Sequence, residues 1–237
     1  MLHTALEKAI RLGLISRNVC KMVSPPRPVH KEMKLLTIEQ VRKLLEAAKD
    51  HPMEALFVMA VTTGMRRGEL FGLKWQDIDF DKGVLSVRRA LVRMPTGGGY
   101  VEAETKTAKS RRSIVLTAVA MNALKEHHIR QLEMKAKAGG AWQDYDYVFC
   151  GPDGTYLSPG HHGLVQLKNL LRKAGLPDIR FHDLRHCTAS LLLAEGVHPK
   201  VVQEILGHTE ISMTMNVYSH VLPTMQKDAM NRLDDLF

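Results

Sequence analysis

No apolar run in this sequence approaches the roughly 20 residues that a membrane-spanning helix needs, which argues against a helical membrane protein. The N-terminus, MLHTALEKAIRLGLIS, carries charges through its middle, which argues against a secretory signal. Cysteine is nearly absent. Cys20, Cys150 and Cys187 lie far apart, have no metal-ligand spacing and cannot all pair; a reduced, cytoplasmic compartment is the natural reading. Internal repeats and low-complexity tracts are also missing, and tyrosine is scarce, with 5 in 237 residues.

What is present is an ordinary globular balance of 45% hydrophobic and 24% charged residues, enough to bury a proper core in one large domain or a domain with an appendage. The net charge of +8 and a pI near 9.4 favour a polyanionic partner, although many basic proteins simply have solvated basic faces.

Residues 1–19 read as one amphipathic helix, with Leu2, Ala5, Leu6, Ala9, Ile10 and Leu12 on a stripe that ends near Gly13. VSPPRPVHKEMK follows as an extended linker, because each proline removes a donor and biases its predecessor away from helix. The main domain opens at LLTIEQVRKLLEAAKD, where Thr37 and Gln40 form a capping-box signature and Val41, Leu44, Leu45 and Ala48 a buried face. MEALFVMAVTTG is almost wholly apolar and reads as a central helix. GVLSVRRALVRM, YVEAETKTAKS and RRSIVLT then carry β-branched residues in partial alternation, separated by the turn signals DKG and TGGG. These predict a small antiparallel sheet of about three strands. Helices follow to the end, interrupted by YVFCGPDGTYLSP as a turn with short strands. The fold class is α+β, mainly helical.

Five stretches could carry chemistry. In FHDLRH, His182, Arg185 and His186 would share one helix face, and such crowded cations are costly unless an anion joins them. In TTGMRRGEL, Arg66 and Arg67 could simply complement a helix C-terminus. Alternatively, one of them turns inward to bind phosphate, with Glu69 holding it. ETKTAKSRR packs Lys106, Lys109, Arg111 and Arg112 into seven residues at a strand turn. That is either a solvated face or a set of phosphate contacts. LGH ends at His208, and MNVYSH holds Tyr218, a residue that near a C-terminus is more often packing than nucleophile. The histidine pairs His127–His128 and His161–His162 invite a metal site. Their adjacency, without i, i+4 spacing or an accompanying carboxylate motif, points instead to surface or linker histidines.

In this order, TGMRRGEL, TKTAKSRR, HDLRH, LGH and YSH resemble the signature boxes of the tyrosine recombinase (phage integrase) family across residues 35–237. By this resemblance residues 1–22 are the last helix of a core-binding domain whose remainder is absent, 23–34 a linker, and 35–237 a catalytic domain with a C-terminal tail helix. Asn18-Val19 stands where the family usually has asparagine–proline, and Met215 where many relatives have a second threonine.

The resemblance implies that Tyr218 is the nucleophile and Lys106 the general acid, with His182 as general base. It gives phosphate stabilisation to Arg66, Arg185 and His208, supporting places to Glu69 and His186, and DNA contacts to Arg67, Lys109, Arg111 and Arg112. The expected activity is site-specific DNA recombination through a 3′-phosphotyrosyl intermediate, with no cofactor and no metal. The expected partner is double-stranded DNA, with a homotetramer on synapsed DNA, a monomer without it, and no membrane. The apolar residues Met225, Ala229, Leu233 and Phe237 of the tail, spaced by four, read as an amphipathic helix that by default folds onto its own domain and that, by the resemblance, would dock on a neighbouring protomer. The alternatives are a non-enzymatic DNA-binding remnant of a mobile element and a topoisomerase of the same chemistry.

Overall fold

The computed structural model describes residues 2–24, 35–94, 97–104 and 111–215. The chain divides into two compact units, Met1–Met33 and Lys34–Phe237.

In the first unit, helix α1 (Leu2–Arg11) is tied to the segment that follows it by Asn18. The Asn18 amide donates to the His3 carbonyl (3.1 Å) and to Glu7 Oε1 (2.8 Å), while its Oδ1 accepts from the Cys20 backbone N–H (3.0 Å). One short buried polar side chain thus replaces the core that so few residues cannot build.

The second unit is organised around one apolar helix. Helix α2 (Ile38–Ala47) starts at Thr37 with the reciprocal bonds the sequence predicts: Thr37 N–H donates to Gln40 Oε1 and Gln40 N–H to Thr37 Oγ1. Helix α3 (Glu54–Thr63) is buried along almost its whole length. An all-round apolar helix has no face to give to solvent and must be central; α3 packs against α2, the short helix α4 (Arg67–Phe71), α5 (Ala118–Ala138) and α7 (Phe181–Ala194). Phe57 of α3 and Phe71 of α4 both meet the ring of Phe181, at centroid separations of 6.3 and 6.4 Å. Helices α6 (His161–Lys173) and α8 (Pro199–Leu206) pack on α7.

The expected small antiparallel sheet of three strands is present beside the helices, but its strands are not the three predicted, and a second pair stands apart from it. Strands β1 (Ile78–Asp79), β2 (Val84–Val87) and β5 (Arg112–Val115) form an antiparallel sheet in the order β1-β2-β5, and β3 (Arg89–Arg93) with β4 (Tyr100–Glu104) forms a separate hairpin. GVLSVRRALVRM therefore supplies two strands to two sheets. The change falls at Arg88, which belongs to neither ladder: Val87 pairs with Arg112 and Arg89 with Glu104, while the inward–outward alternation runs on through it. Arg89 is held inward by Asp77. Helix α4 lies directly on the β3 backbone: a Cβ on Gly68 or Gly72 would meet the Leu91 carbonyl oxygen at 2.6 Å or the Leu91 nitrogen at 3.0 Å.

The histidine pairs are not in linkers. His127 and His128 lie on α5, where His127 bonds to the Val148 carbonyl (2.8 Å) and His128 lies tilted against Trp75 (ring centroids 4.3 Å apart); His161 and His162 open α6. Among the described residues no helix is long and apolar enough to cross a membrane.

Candidate active site

Two helices that end on left-handed glycines build the frame of the site. Helix α3 ends at Gly64 (φ +59°) and α8 at Gly207 (φ +67°), the conformation that glycine adopts without Cβ strain. At Gly64 a side chain would also run into Leu206 of α8 and Thr188 of α7. The carbonyls at these helix ends sit at the negative end of the helix dipole and attract cations. Each receives an arginine: Arg185 Nη1 donates to the Gly64 carbonyl (2.7 Å), and Arg66 Nη2 to the Gly207 carbonyl (2.8 Å).

Glu69 joins these anchors. Its Oε2 accepts from the Arg66 backbone N–H (2.8 Å) at the start of α4, and its Oε1 from Arg66 Nη1 (2.8 Å). Arg112 closes the group from β5, donating Nη2 to Glu69 Oε2 (2.9 Å), Nη1 to Glu69 Oε1 (3.2 Å) and Nε to the Ile205 carbonyl (2.7 Å). The side chains of Arg112 and Glu69 are only 7% and 3% exposed. Burial alone would raise the Glu69 pKa, but the hydrogen bonds and charge of Arg112, and then those of Arg66, hold it below the usual carboxylate range.

Arg185 is 2% exposed. Burial, and next the charge of Arg66, push its guanidinium down to about 9, still cationic at neutral pH, with Glu69 acting in the opposite sense. Its Nη2 is buried with no hydrogen-bond partner among the described residues. The α7 start that places it is fixed by Asp183, whose carboxylate accepts the Arg180 backbone N–H (2.8 Å) and pairs with the Arg180 side chain.

His208 follows Gly207 and bonds through Nδ1 to Thr214 Oγ1 (2.9 Å). Partial burial, then Arg185 and Arg66, push it down to about 4; His186 and His182 add to the effect. His182 is on the outer side of α7 with its ring edge-on to His186 (4.9 Å). Desolvation, His186 and Arg185 push it down to about 4 as well, and His186 is lowered by desolvation against the pull of Asp183. Both His182 and His208 are therefore neutral at pH 7.

These shifts carry a sign for stability. In the unfolded chain a histidine titrates near 6.5, so between about 6.5 and 4 the unfolded state binds more protons than the folded one. Stability then rises with pH across that window and is lost on acidification. Melting temperature is expected to fall steadily from pH 7 to pH 4, and His208→Asn, which cannot titrate, to flatten part of that slope; a profile unchanged by the variant would remove His208 as a cause.

Of the residues singled out in the sequence, Arg66, Glu69, Arg112, Arg185 and His208 share one network, with His182 and His186 beside it. Arg67 opens α4, half-buried, and Arg111 is exposed, 3.9 Å from Glu104. Lys106, Lys109 and Tyr218 lie outside the described residues. Arg112 reads in the sequence as a DNA contact, whereas its guanidinium is taken up by Glu69 and Ile205. Sequence reasoning missed the two glycine carbonyls and Thr214. The glycines were signalled by their positions after apolar helical runs; Thr214, six residues past His208, had no signal of its own.

The model of the Phage integrase family matches residues 34–225. The chain is 37% identical over 252 residues to a XerC-like tyrosine recombinase of Caldanaerobacter subterraneus, covering 100% of this chain and 64% of that protein. It is 26% identical to the ICEBs1 integrase of Bacillus subtilis, covering 99% and 63%. This chain thus spans less than two thirds of the length of these relatives. Among solved structures, the integrase of transposon Tn1549 in complex with circular intermediate DNA superposes with a TM-score of 0.73 at 23% identity, covering 98% of this chain and 76% of that one. XerA recombinase gives 0.66 at 25% identity, covering 85% and 66%.

Proposed function

The chain belongs to the phage integrase family, and from that membership we propose that it is a site-specific recombinase, cutting and rejoining duplex DNA through a covalent 3′-phosphotyrosyl intermediate. The observation that carries this reading is the buried cationic cluster. Among the described residues, Arg66, Arg112 and Arg185 face a single carboxylate, Glu69, and Arg185 keeps an unpartnered buried nitrogen. Such a charge excess is costly unless an anion completes it. A phosphodiester brings one negative charge, and in-line attack builds more on its non-bridging oxygens.

In this scheme Arg66 and Arg185 hold the non-bridging oxygens and His208 adds a hydrogen bond. Tyr218 attacks phosphorus and passes its phenolic proton to His182, since an unperturbed phenol with a pKa of about 10 is mostly protonated at neutral pH. The entering phosphate raises the proton affinity of His182, whose pKa is low without it. The bond from phosphorus to the 5′-oxygen breaks, and Lys106 protonates that oxygen. Reversal against another strand rejoins the DNA, and the phosphotyrosyl ester conserves the bond energy for that step. No step requires a metal or a nucleotide. The spacing of Met225, Ala229, Leu233 and Phe237 supports a tail that couples protomers in a tetramer on synapsed DNA.

The test is incubation with a pool of nicked duplexes of randomised sequence, followed by a denaturing gel. A protease-sensitive protein–DNA adduct is expected, and Tyr218→Phe is expected to abolish it. DNA binding without any adduct from the wild-type chain would favour the non-enzymatic remnant.

A further inference from the structure

His208 is set to give a hydrogen bond only if the correct ring nitrogen carries its proton. A neutral imidazole has one N–H and one bare nitrogen, and the partner of one nitrogen decides the state of the other. Here the partner of Nδ1 is Thr214 Oγ1 at 2.9 Å. Thr214 is 0% exposed, so its hydroxyl proton cannot turn to solvent. Other buried or half-buried threonines here give that proton to a backbone carbonyl: Thr62 to Val58 and Thr63 to Met59, four residues back, and Thr188 to Val61 at 2.8 Å with Leu184 at 3.0 Å. For Thr214 the bond present among the described residues is the one to His208. If Nδ1 carried the proton, Thr214 would accept it and keep a buried, unpaired O–H, a cost of the order of a lost hydrogen bond. With Nδ1 bare, both groups are satisfied.

We propose that Thr214 is a positioning residue, donating its hydroxyl proton to His208 Nδ1 and so fixing the neutral tautomer whose Nε2–H points a donor at the substrate anion. The proposal rests on the recombinase reading for its catalytic half. Burial, and then the charge of the two arginines, supplies the other condition: both disfavour the doubly protonated ring, so a single proton remains to be directed. Thr214 then acts through geometry and tautomer choice, without touching DNA itself.

Two measurements test this on the full chain. The first is a long-range nitrogen–proton NMR correlation on histidine-labelled protein at neutral pH, with His208 assigned through His208→Asn. The Nε2–H tautomer is expected in the wild type and in Thr214→Ser, and a mixture of tautomers in Thr214→Val, which keeps the shape but loses the donor. The second is the rate of adduct formation with a nicked duplex recovered from the randomised pool. Thr214→Val is expected to slow it about tenfold, the scale of one hydrogen bond, with DNA affinity held and with Thr214→Ser restoring the rate. An Nδ1–H tautomer in the wild type overturns the proposal outright, whether or not the variants fold. So does a Thr214→Val protein with unchanged tautomer or unchanged rate. If the wild type forms no adduct with any member of the pool, the recombinase reading fails and takes the catalytic half with it, while the NMR result still decides whether Thr214 directs the ring proton.

Discussion

Glu69→Ala is expected to destabilise the larger unit by about 3–5 kcal/mol, the cost of removing one partner from a buried ion pair. The carboxylate accepts four hydrogen bonds, two from Arg66 and two from Arg112, and Arg185 is within its electrostatic reach. Without it three guanidiniums remain close together, and those of Arg112 and Arg185 are buried. For a unit of this size, roughly 2–4 °C of melting temperature accompanies each kcal/mol, so a fall of about 10 °C is the expected reading. The double variant Glu69→Ala with Arg112→Met should recover part of the loss, because it removes a stranded charge along with its partner. A melting temperature within about 2 °C of wild type would mean that solvent, rather than Glu69, neutralises the cluster.

The largest effect on catalysis is expected at Arg185. Lysine keeps the charge but has a single nitrogen on a flexible stem. It cannot hold the Gly64 carbonyl, as Nη1 does at 2.7 Å, and present a second, separate donor to a phosphate oxygen. Removing one preorganised donor to a transition-state oxyanion costs about 100- to 1,000-fold in rate. On the recombinase reading, Arg185→Lys should therefore slow adduct formation by about two orders of magnitude, while DNA affinity changes by no more than about threefold, since the charge is kept and it would be one of several phosphate contacts. Equal losses in rate and affinity would place Arg185 in uniform binding of the DNA, and an unchanged rate would remove it from the chemistry.

The local parts of the fold were legible before any coordinates. Thr37 and Gln40 are three residues apart, and their reciprocal bonds form wherever a helix starts. The apolar run of α3 has one destination, the centre. The pairing of strands was less legible, because nothing between Val87 and Arg89 says that the chain changes sheets there. The same limit applies at the site. Arg112 sits in a run of cations that reads as a surface, and its counter-charge, Glu69, is 43 residues earlier in the chain. Gly64 and Gly207 are recognisable as helix ends, but the arginines they hold are 121 and 141 residues away. Residue type carries the chemistry at short range, whereas who neutralises whom is decided by packing that spacing does not encode.

The paired glycine carbonyls also bear on timing. Arg66 hangs on residue 207, Arg112 on residue 205 and Arg185 on residue 64, so the cationic cluster is stitched from both ends of the larger unit. As the chain leaves the ribosome, Arg66 and Arg112 emerge long before the carbonyls that aim them. Until α8 has been made and has settled against Gly64, Arg66 and Arg112 have Glu69 for a partner but lack the carbonyls that complete their aim. On the recombinase reading, a DNA phosphate met by such a nascent chain would be bound as by any basic polypeptide, and the capacity to cut it would come only once the cluster has closed.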